Sequence, residues 1–401
     1  MPLSFEQALS VIEEKLIAVQ FDPPTERLSL REARDRVLAD EVKADRDYPP
    51  FHRATRDGYA VRSGDLSALP AVLDCRGEVR AGGHFDKKIS AGQCVQIMTG
   101  APVPEGADAV VMIEHTRLCG RGVEILRAPG LWENVVLRGT EALAGSVVLA
   151  QGRHLGAGEV GLLASVGQTS VRVFRRPSVA ILPTGDELVP VEQRPEWFEI
   201  RNSNAATLAA QVVAAGGIPR LLDIAPDEKE GLRPLIGEGL QADLLLLSGG
   251  VSAGKYDFVE PVLEELGAEF YFQEVAIRPG KPLVFGRARE KFFFGLPGNP
   301  VSTFVTFELF ARPAIEMLQG MRFRCPVFLR ACLAKPFRQK TGLTAFVPAR
   351  LEAENGNPVV DLVDSQGSGD LVGLTAANCF LVIHPQQTEF AAGDWVDVLP
   401  K

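Results

Sequence analysis

The chain has 401 residues, 46% of them hydrophobic, and carries a net charge of −9 from 42 basic and 51 acidic side chains. That length leads us to expect roughly two to four domains with substantial cores. An acidic balance with no long basic run argues against nucleic acid as the main partner. No apolar run nears the ~18 residues of a membrane span, and the opening MPLSFEQALSVIEEKL lacks the basic-then-apolar layout of a signal peptide. Six scattered cysteines without a CxxC pair read as reduced thiols, so a cytoplasmic location is expected. The five histidines show no HExxH spacing and read as surface or packing imidazoles.

In chain order, residues 4–19 predict a helix. Ser4 with Gln7 forms a capping box, and Phe5, Ala8, Leu9, Ile12, Leu16 and Val19 fall on one face. Asp22-Pro23-Pro24 ends it, and residues 32–38 suggest a second short helix. Residues 51–135 hold many glycines and short β-like runs at 58–61, 71–73, 94–98 and 109–112, which predicts a small β-rich domain. Residues 136–172 read as connecting structure returning from an insertion.

Residues 173–322 alternate β and α signals. Expected strands are 179–182, 221–224, 243–247 and 292–294; expected helices are 204–215, 227–240, 257–266 and a long one after Pro300, disturbed near Pro313. This is the pattern of a three-layer α/β sandwich. Residues 323–401 return to β at 327–332, 346–347, 359–363, 380–383 and 395–399, predicting a small barrel or sandwich.

Three of the buried strands end in glycine-containing loops: Thr184-Gly185-Asp186-Glu187, Ser248-Gly249-Gly250, and Gly295-Leu296-Pro297-Gly298-Asn299. Such loops let the backbone approach a ligand. In open α/β sheets they gather at the edge where ligands bind. Asn299-Pro300 reads as a helix cap and first helical residue, which suits an anion. Acids near this edge are Asp186, Glu187, Asp227 and Asp257, a donor set suited to Mg²⁺ beside phosphates. The structural alternative is that Asp227 and Asp257 merely cap helices. Arg278 and Lys281 frame an RPGK turn, either as an anion clamp or as two solvated charges. Ser248-Gly249-Gly250 fits neither a Walker loop nor GxGxxG. Asp57-Gly58-Tyr59, Thr99-Gly100-Ala101-Pro102, Arg138–Glu141 and Ser365–Ser368 read by pattern as turns or polar loops.

Together, LPTGDEL, LSGGVSAGKYD, AIRPGKP, GLPGNPVS, RDGYAVR, IMTGAPVPEGADAVV and SQGSGDL…AANCF resemble, in order and over nearly the whole chain, the MoeA family of molybdopterin molybdotransferases, which includes the gephyrin E domain. The resemblance implies a multidomain α/β plus β chain. Residues 1–22 and 173–322 would form a MogA-like molybdopterin-binding domain. Residues 23–50 and 136–172 would form a split connecting domain, 51–135 an inserted β-rich domain, and 323–401 a C-terminal β-barrel-like domain. It further implies a homodimer acting on adenylylated molybdopterin and molybdate with Mg²⁺ and release of AMP, and transient contact with a MogA-type adenylyltransferase.

Carried over residue by residue, Asp57, Glu187, Asp227 and Asp257 would be catalytic. Glu187, Asp227 and Asp257 would also hold the metal. Thr99, Thr184, Gly185, Asp186, Ser248, Gly249, Gly250, Ser252, Arg278, Lys281, Pro297, Gly298, Asn299 and Ser368 would bind substrate, with Asp57 and Thr99 reaching the partner subunit's site. The chain departs from the family pattern at Arg56, Thr140, Arg278, Leu343 and Pro348. An adenylyltransferase on the same fold would need neither β domain. A peptide-binding dimeric scaffold would not need the acids. Molybdate and tungstate are not distinguished.

Overall fold

The structure is a computed structural model that describes residues 2–19, 23–120, 122–250, 258–339, 342–387 and 389–401. The chain forms two compact units, one of Met1–Arg27, Asp35–Ala39 and Arg172–Lys401, the other of Leu28–Arg34 and Asp40–Val171.

In the first unit a six-stranded sheet runs in the order Ile218–Leu221, Ser178–Pro183, Leu244–Ser248, Lys291–Leu296, Pro282–Ala288, Glu269–Glu274. The first four strands are mutually parallel, and the last two continue the sheet antiparallel. Strand period two explains the layers. Val179, Ile181, Leu244 and Leu246 face one core with residues from the helices Phe5–Ala18, Ser203–Ala214 and Pro300–Thr306. Ala180, Leu182, Leu245 and Leu247 face another, with Leu232 and Ile236 of Lys229–Gly239 and Val262 of Val259–Glu265. Leu244–Leu247 are all fully buried, and each such side chain contributes about 1.5–3 kcal/mol. That double burial is why the run shows no polar alternation. The disturbance expected near Pro313 is a π turn, Phe307–Ala311, followed by the helix Arg312–Leu318. Pro313 has no N–H to give the preceding turn.

The last segment closes a five-stranded barrel. Thr344–Glu354 pairs with Asn357–Leu362, that with Leu329–Leu333, then Trp395–Pro400, then Cys379–Ile383, and the last returns to Thr344–Glu354. A short strand, Ile277–Arg278, lies parallel on its rim, with Arg278 opposite Ala345.

The second unit holds another six-stranded sheet, ordered Ala109–Met112, Gly58–Val61, Gln93–Ile97, Ala71–Val79, Gly122–Ile125, Thr116–Cys119. Val42–Lys43 pairs with Val147–Leu149 and Arg53–Ala54 with Val135–Val136. The helix Ala157–Ser165 follows.

Two local expectations are corrected, and one strand is new. Residues 32–35 form turns, not a helix, and Leu38 makes a β-bridge to Val173: Glu32 Oε2 accepts from Ser29 N–H and Oγ–H, and Asp35 takes a left-handed φ of 59° that stops propagation. The strand expected at 221–224 lies at Ile218–Leu221, because its register is set against Ser178–Ile181. Residues 282–288, for which no element was expected, form a full strand.

Candidate functional site

Pro183, Ser248 and Leu296 are register partners across three neighbouring strands. Their following loops therefore leave the sheet at one level. There they line a cleft of about 740 Å³ with Thr184, Gly185, Glu187, Asp227, Ser248, Gly249, Gly250, Pro297, Gly298 and Asn299. Residues from the barrel segment, including Leu343, Phe346, Pro348 and Ser368, form the facing wall. The RPGK residues Arg278, Pro279, Gly280 and Lys281 line the cleft as well.

Glycine is required where these loops touch. A Cβ on Gly249 would lie 2.5 Å from Thr184 O, and one on Gly250 2.8 Å from Thr184 Oγ1, with φ of 97° and 63°. Gly249 N–H donates to Leu296 O at 3.2 Å, and Thr184 N–H donates to Ser248 O at 3.0 Å. Asn204 Nδ2 donates both to Ser248 Oγ at 3.1 Å and to Gly298 O at 2.7 Å. Asn202 caps the helix Ser203–Ala214 by accepting from Ala205 N–H, so that helix starts in the cleft. Pro300 opens the helix behind the third loop as expected, though Asn299 makes no side-chain capping bond. Val301 N–H donates to Ser368 O at 2.9 Å. The loop carrying Ser368 is shaped by Asp370, which accepts from Gln366 N–H and Gly373 N–H. The Gly373 N–H first, then that of Gln366, holds the Asp370 carboxyl below its ordinary range.

The acids gather on one side. Asp186 is exposed and outside the cleft lining, but its Oδ1 accepts the Asp227 N–H at 3.1 Å. Asp227 does not cap its helix, whose N-cap is Glu228, so the capping alternative fails for it. Burial raises the Asp227 carboxyl, and the neighbouring Asp186 and Glu187 charges raise it further. Among the described residues no three His, Cys, Asp or Glu side chains make a ready metal cluster. Glu187 and Asp227 nevertheless fit a hard divalent cation. They are oxygen donors, and Asp227 sits half-buried among like charges that a cation would relieve. Mg²⁺ commonly takes one or two carboxylates and completes its shell with substrate phosphate and water. Asp257 and Ser252 lie outside the described residues.

Cations line the same cleft. Arg278 lines the cleft and is exposed, and among the described residues no carboxylate is paired with it. Lys281 also lines it but pairs with Glu274 at 3.2 Å. Arg201, which the sequence analysis did not single out, joins the lining. Its Nε donates to Val191 O and Gln193 O. Its only sequence signal is a basic residue just before the Asn-Ser-Asn helix start. Asn204, also unmarked in sequence, fastens two of the three loops.

Asp57 and Thr99 belong to the second unit. They are brought to each other: Thr99 N–H and Oγ1–H both donate to Asp57 Oδ1 at 2.7 Å. Those bonds, the backbone one first, hold the Asp57 carboxyl below its ordinary range.

Three family models match the chain: the MoeA N-terminal region (domain I and II) over residues 3–167, the probable molybdopterin binding domain over 180–317, and the MoeA C-terminal region (domain IV) over 330–401. The chain is 35% identical over 384 residues to the molybdopterin molybdenumtransferase of Bacillus subtilis (strain 168), covering 94% of this chain and 89% of that one. It is 35% identical over 408 residues to the molybdopterin molybdenumtransferase of Haemophilus influenzae, covering 99% and 98%. The crystal structure of the molybdopterin biosynthesis MoeA protein from Pyrococcus horikoshii OT3 aligns over 100% of both chains with a TM-score of 0.82 at 28% identity. Among the described residues no helix is long and apolar enough to cross a membrane.

Proposed function

The chain belongs to the MoeA family, and from that premise we propose that its cleft takes adenylylated molybdopterin and molybdate, cleaves the pyrophosphate, releases AMP and leaves molybdenum on the dithiolene. It is a molybdopterin molybdenumtransferase of molybdenum cofactor biosynthesis. The observation that supports the detailed reading is that Glu187, Asp227 and Arg278 line one glycine-rich cleft of about 740 Å³.

Each group has a role that its position supports. The backbone N–H groups of the glycine loops and the start of the helix Ser203–Ala214 favour phosphate oxygens. Ser248 Oγ already accepts from Asn204, so its own proton is available to an anion in the cleft. Arg278 and Lys281 offset the charge of molybdate and of the phosphates. Glu187 and Asp227 would hold Mg²⁺, with Asp186 fixing the backbone at Asp227. Bound there, Mg²⁺ would draw charge from the phosphoanhydride. The barrel wall, apolar at Leu343, Phe346 and Pro348, suits the flat organic part of the substrate.

The finer reading includes a cytoplasmic homodimer, with Asp57 and Thr99 of one subunit serving the partner's cleft, and a transient handover from a MogA-type adenylyltransferase. The test is AMP release from adenylylated molybdopterin with and without molybdate and Mg²⁺. Release that requires both, and that Glu187→Gln abolishes, is the expected result. Binding without release would overturn the proposed reaction.

A further inference from the structure

Cys75 and Cys94 face each other in the sheet of the second unit. The strands Ala71–Val79 and Gln93–Ile97 run parallel, with Cys75 directly opposite Cys94. Register partners on adjacent strands point to the same face, ~4.8 Å apart along the hydrogen-bonding direction. That spacing falls within the Cα separations of ~4.4–6.8 Å that disulfides span. Both residues pack with Tyr59, Leu73 and Val123 on one core, and the register places their Cβ atoms on the same face of the sheet. The register shifts just after Cys75, which gives the strand local slack. No other described pair matches this. Cys332 stands opposite Val359 and Trp395, and Cys379 opposite Ala349 and Pro400.

The two thiols differ in a way that orders their chemistry. Cys94 is fully buried, and burial, with Cys75 beside it, pushes its thiol up to about 12. Cys75 is half-buried, with its Sγ donating to Gly77 O at 3.5 Å. An external reagent therefore meets Cys75 first.

We propose that Cys75 and Cys94 form a thiol–disulfide exchange site for a low-molecular-weight disulfide of the glutathione class. The Cys75 thiolate attacks one sulfur of the small disulfide, forming a mixed disulfide and releasing one thiolate, which takes up the proton lost from Cys75. The Cys94 sulfur then attacks Cys75 Sγ. The second small thiolate leaves with the Cys94 proton. Two protein thiols and one small disulfide become one protein disulfide and two small thiols, so the protein pair is oxidised and the small disulfide reduced. Cys94 is a poor nucleophile while protonated, so the second step sets the rate.

The test uses the full-length, fully reduced protein exposed to oxidised glutathione, acid-quenched, alkylated and peptide-mapped. The expected product is a Cys75–Cys94 linked peptide, with alkylation lost at both positions and restored by reduced glutathione. Cys94→Ser is expected to accumulate a stable glutathione adduct on Cys75. The exposed Cys119 and Cys325 report whether the reagent acted. Modification of these two while Cys75 and Cys94 both stay alkylatable would overturn the proposal. A persistent wild-type adduct on Cys75 with Cys94 still alkylatable would do the same.

Discussion

Asn204 holds Ser248 from behind, its Nδ2 donating to the buried Ser248 Oγ at 3.1 Å and, with the same nitrogen, to Gly298 O at 2.7 Å. The bond fixes which way the serine hydroxyl can donate. It also ties the second glycine loop to the third. Truncating Asn204→Ala leaves the buried Ser248 hydroxyl without this partner, a loss of about 1–3 kcal/mol, while the exposed Gly298 carbonyl turns to water. We expect KM for adenylylated molybdopterin to rise roughly tenfold with a smaller effect on kcat. Asn204→Asp should be worse, since a carboxylate cannot donate to Gly298 O. An unchanged KM in Asn204→Ala would mean that the loops are held by other contacts.

The acidic cluster gives a pH dependence whose sign can be worked out. The folded Asp227 carboxyl is raised, first by burial and then by Asp186 and Glu187. The folded state therefore binds its proton more tightly than the unfolded state. Stability from this group falls as pH rises from the ordinary aspartate range, ~3.9, through its raised folded value, and the penalty persists above it. Asp227→Asn should thus melt higher than wild type at neutral pH, and the advantage should vanish at acid pH. Mg²⁺ should raise the melting temperature of wild type and not of Asp227→Asn. Thermal melts at several pH values, with and without Mg²⁺, decide it; equal Mg²⁺ shifts in both proteins would refute the assignment of Asp227 to the metal.

Gly249→Ala tests the loop crossing. The added methyl would meet Thr184 O at 2.5 Å in a backbone held at φ 97°, a combination expected to cost about 1–3 kcal/mol or more. Urea unfolding should register that loss. Substrate affinity should fall with it, because the displaced loop lines the cleft. Gly267, whose φ is 79° but whose Cβ would meet nothing, is the control. Its alanine variant should lose less stability and leave affinity unchanged.

The Asp57–Thr99 pair predicts two results. The folded carboxyl is lowered, so its contribution is present above the ordinary aspartate range and is lost as pH falls through the folded value. Thr99→Val removes the hydroxyl but keeps the backbone donor. A carbon-detected NMR titration should find Asp57 shifted part of the way back toward normal. If Asp57 serves the partner's cleft, mixing inactive Asp57→Asn and Glu187→Gln subunits should regenerate one intact site per mixed dimer. Random reassortment of a two-fold dimer then returns roughly a quarter of wild-type activity. Full inactivity of a mixture shown to have exchanged subunits would place Asp57 in its own subunit's chemistry.

The strands that carry the site were legible because Val179–Leu182, Leu244–Leu247 and Phe292–Phe294 are buried on both faces, and double burial leaves continuous apolar runs. Their glycine loops were legible for the same local reason: close backbone approach admits no other residue. The edge strand Glu269–Glu274 and its neighbour Pro282–Ala288 were not read. The first mixes exposed and buried positions and the second opens with proline, so neither shows clean periodicity. The absent helix at 32–38 illustrates the opposite failure. Glu32 does fold back onto Ser29 as a capping box would, but the turn stops at Asp35. Asn204 was missed because its role is tertiary. Nothing near it in the chain announces that Ser248 and Gly298 will be its neighbours.

The barrel closes on its own hydrogen bonds, with every one of its five strands paired on both sides. It therefore does not depend on the sheet for its strand pairing, although it supplies one wall of the cleft. Barrel and sheet share a packed core through Phe346 and Phe380, yet their strand pairings are separate. A half-exposed lining position such as Leu343 can change without touching the strand pairing that carries the acids and glycine loops, so selectivity for the organic part of a substrate can drift while the phosphate chemistry stays fixed.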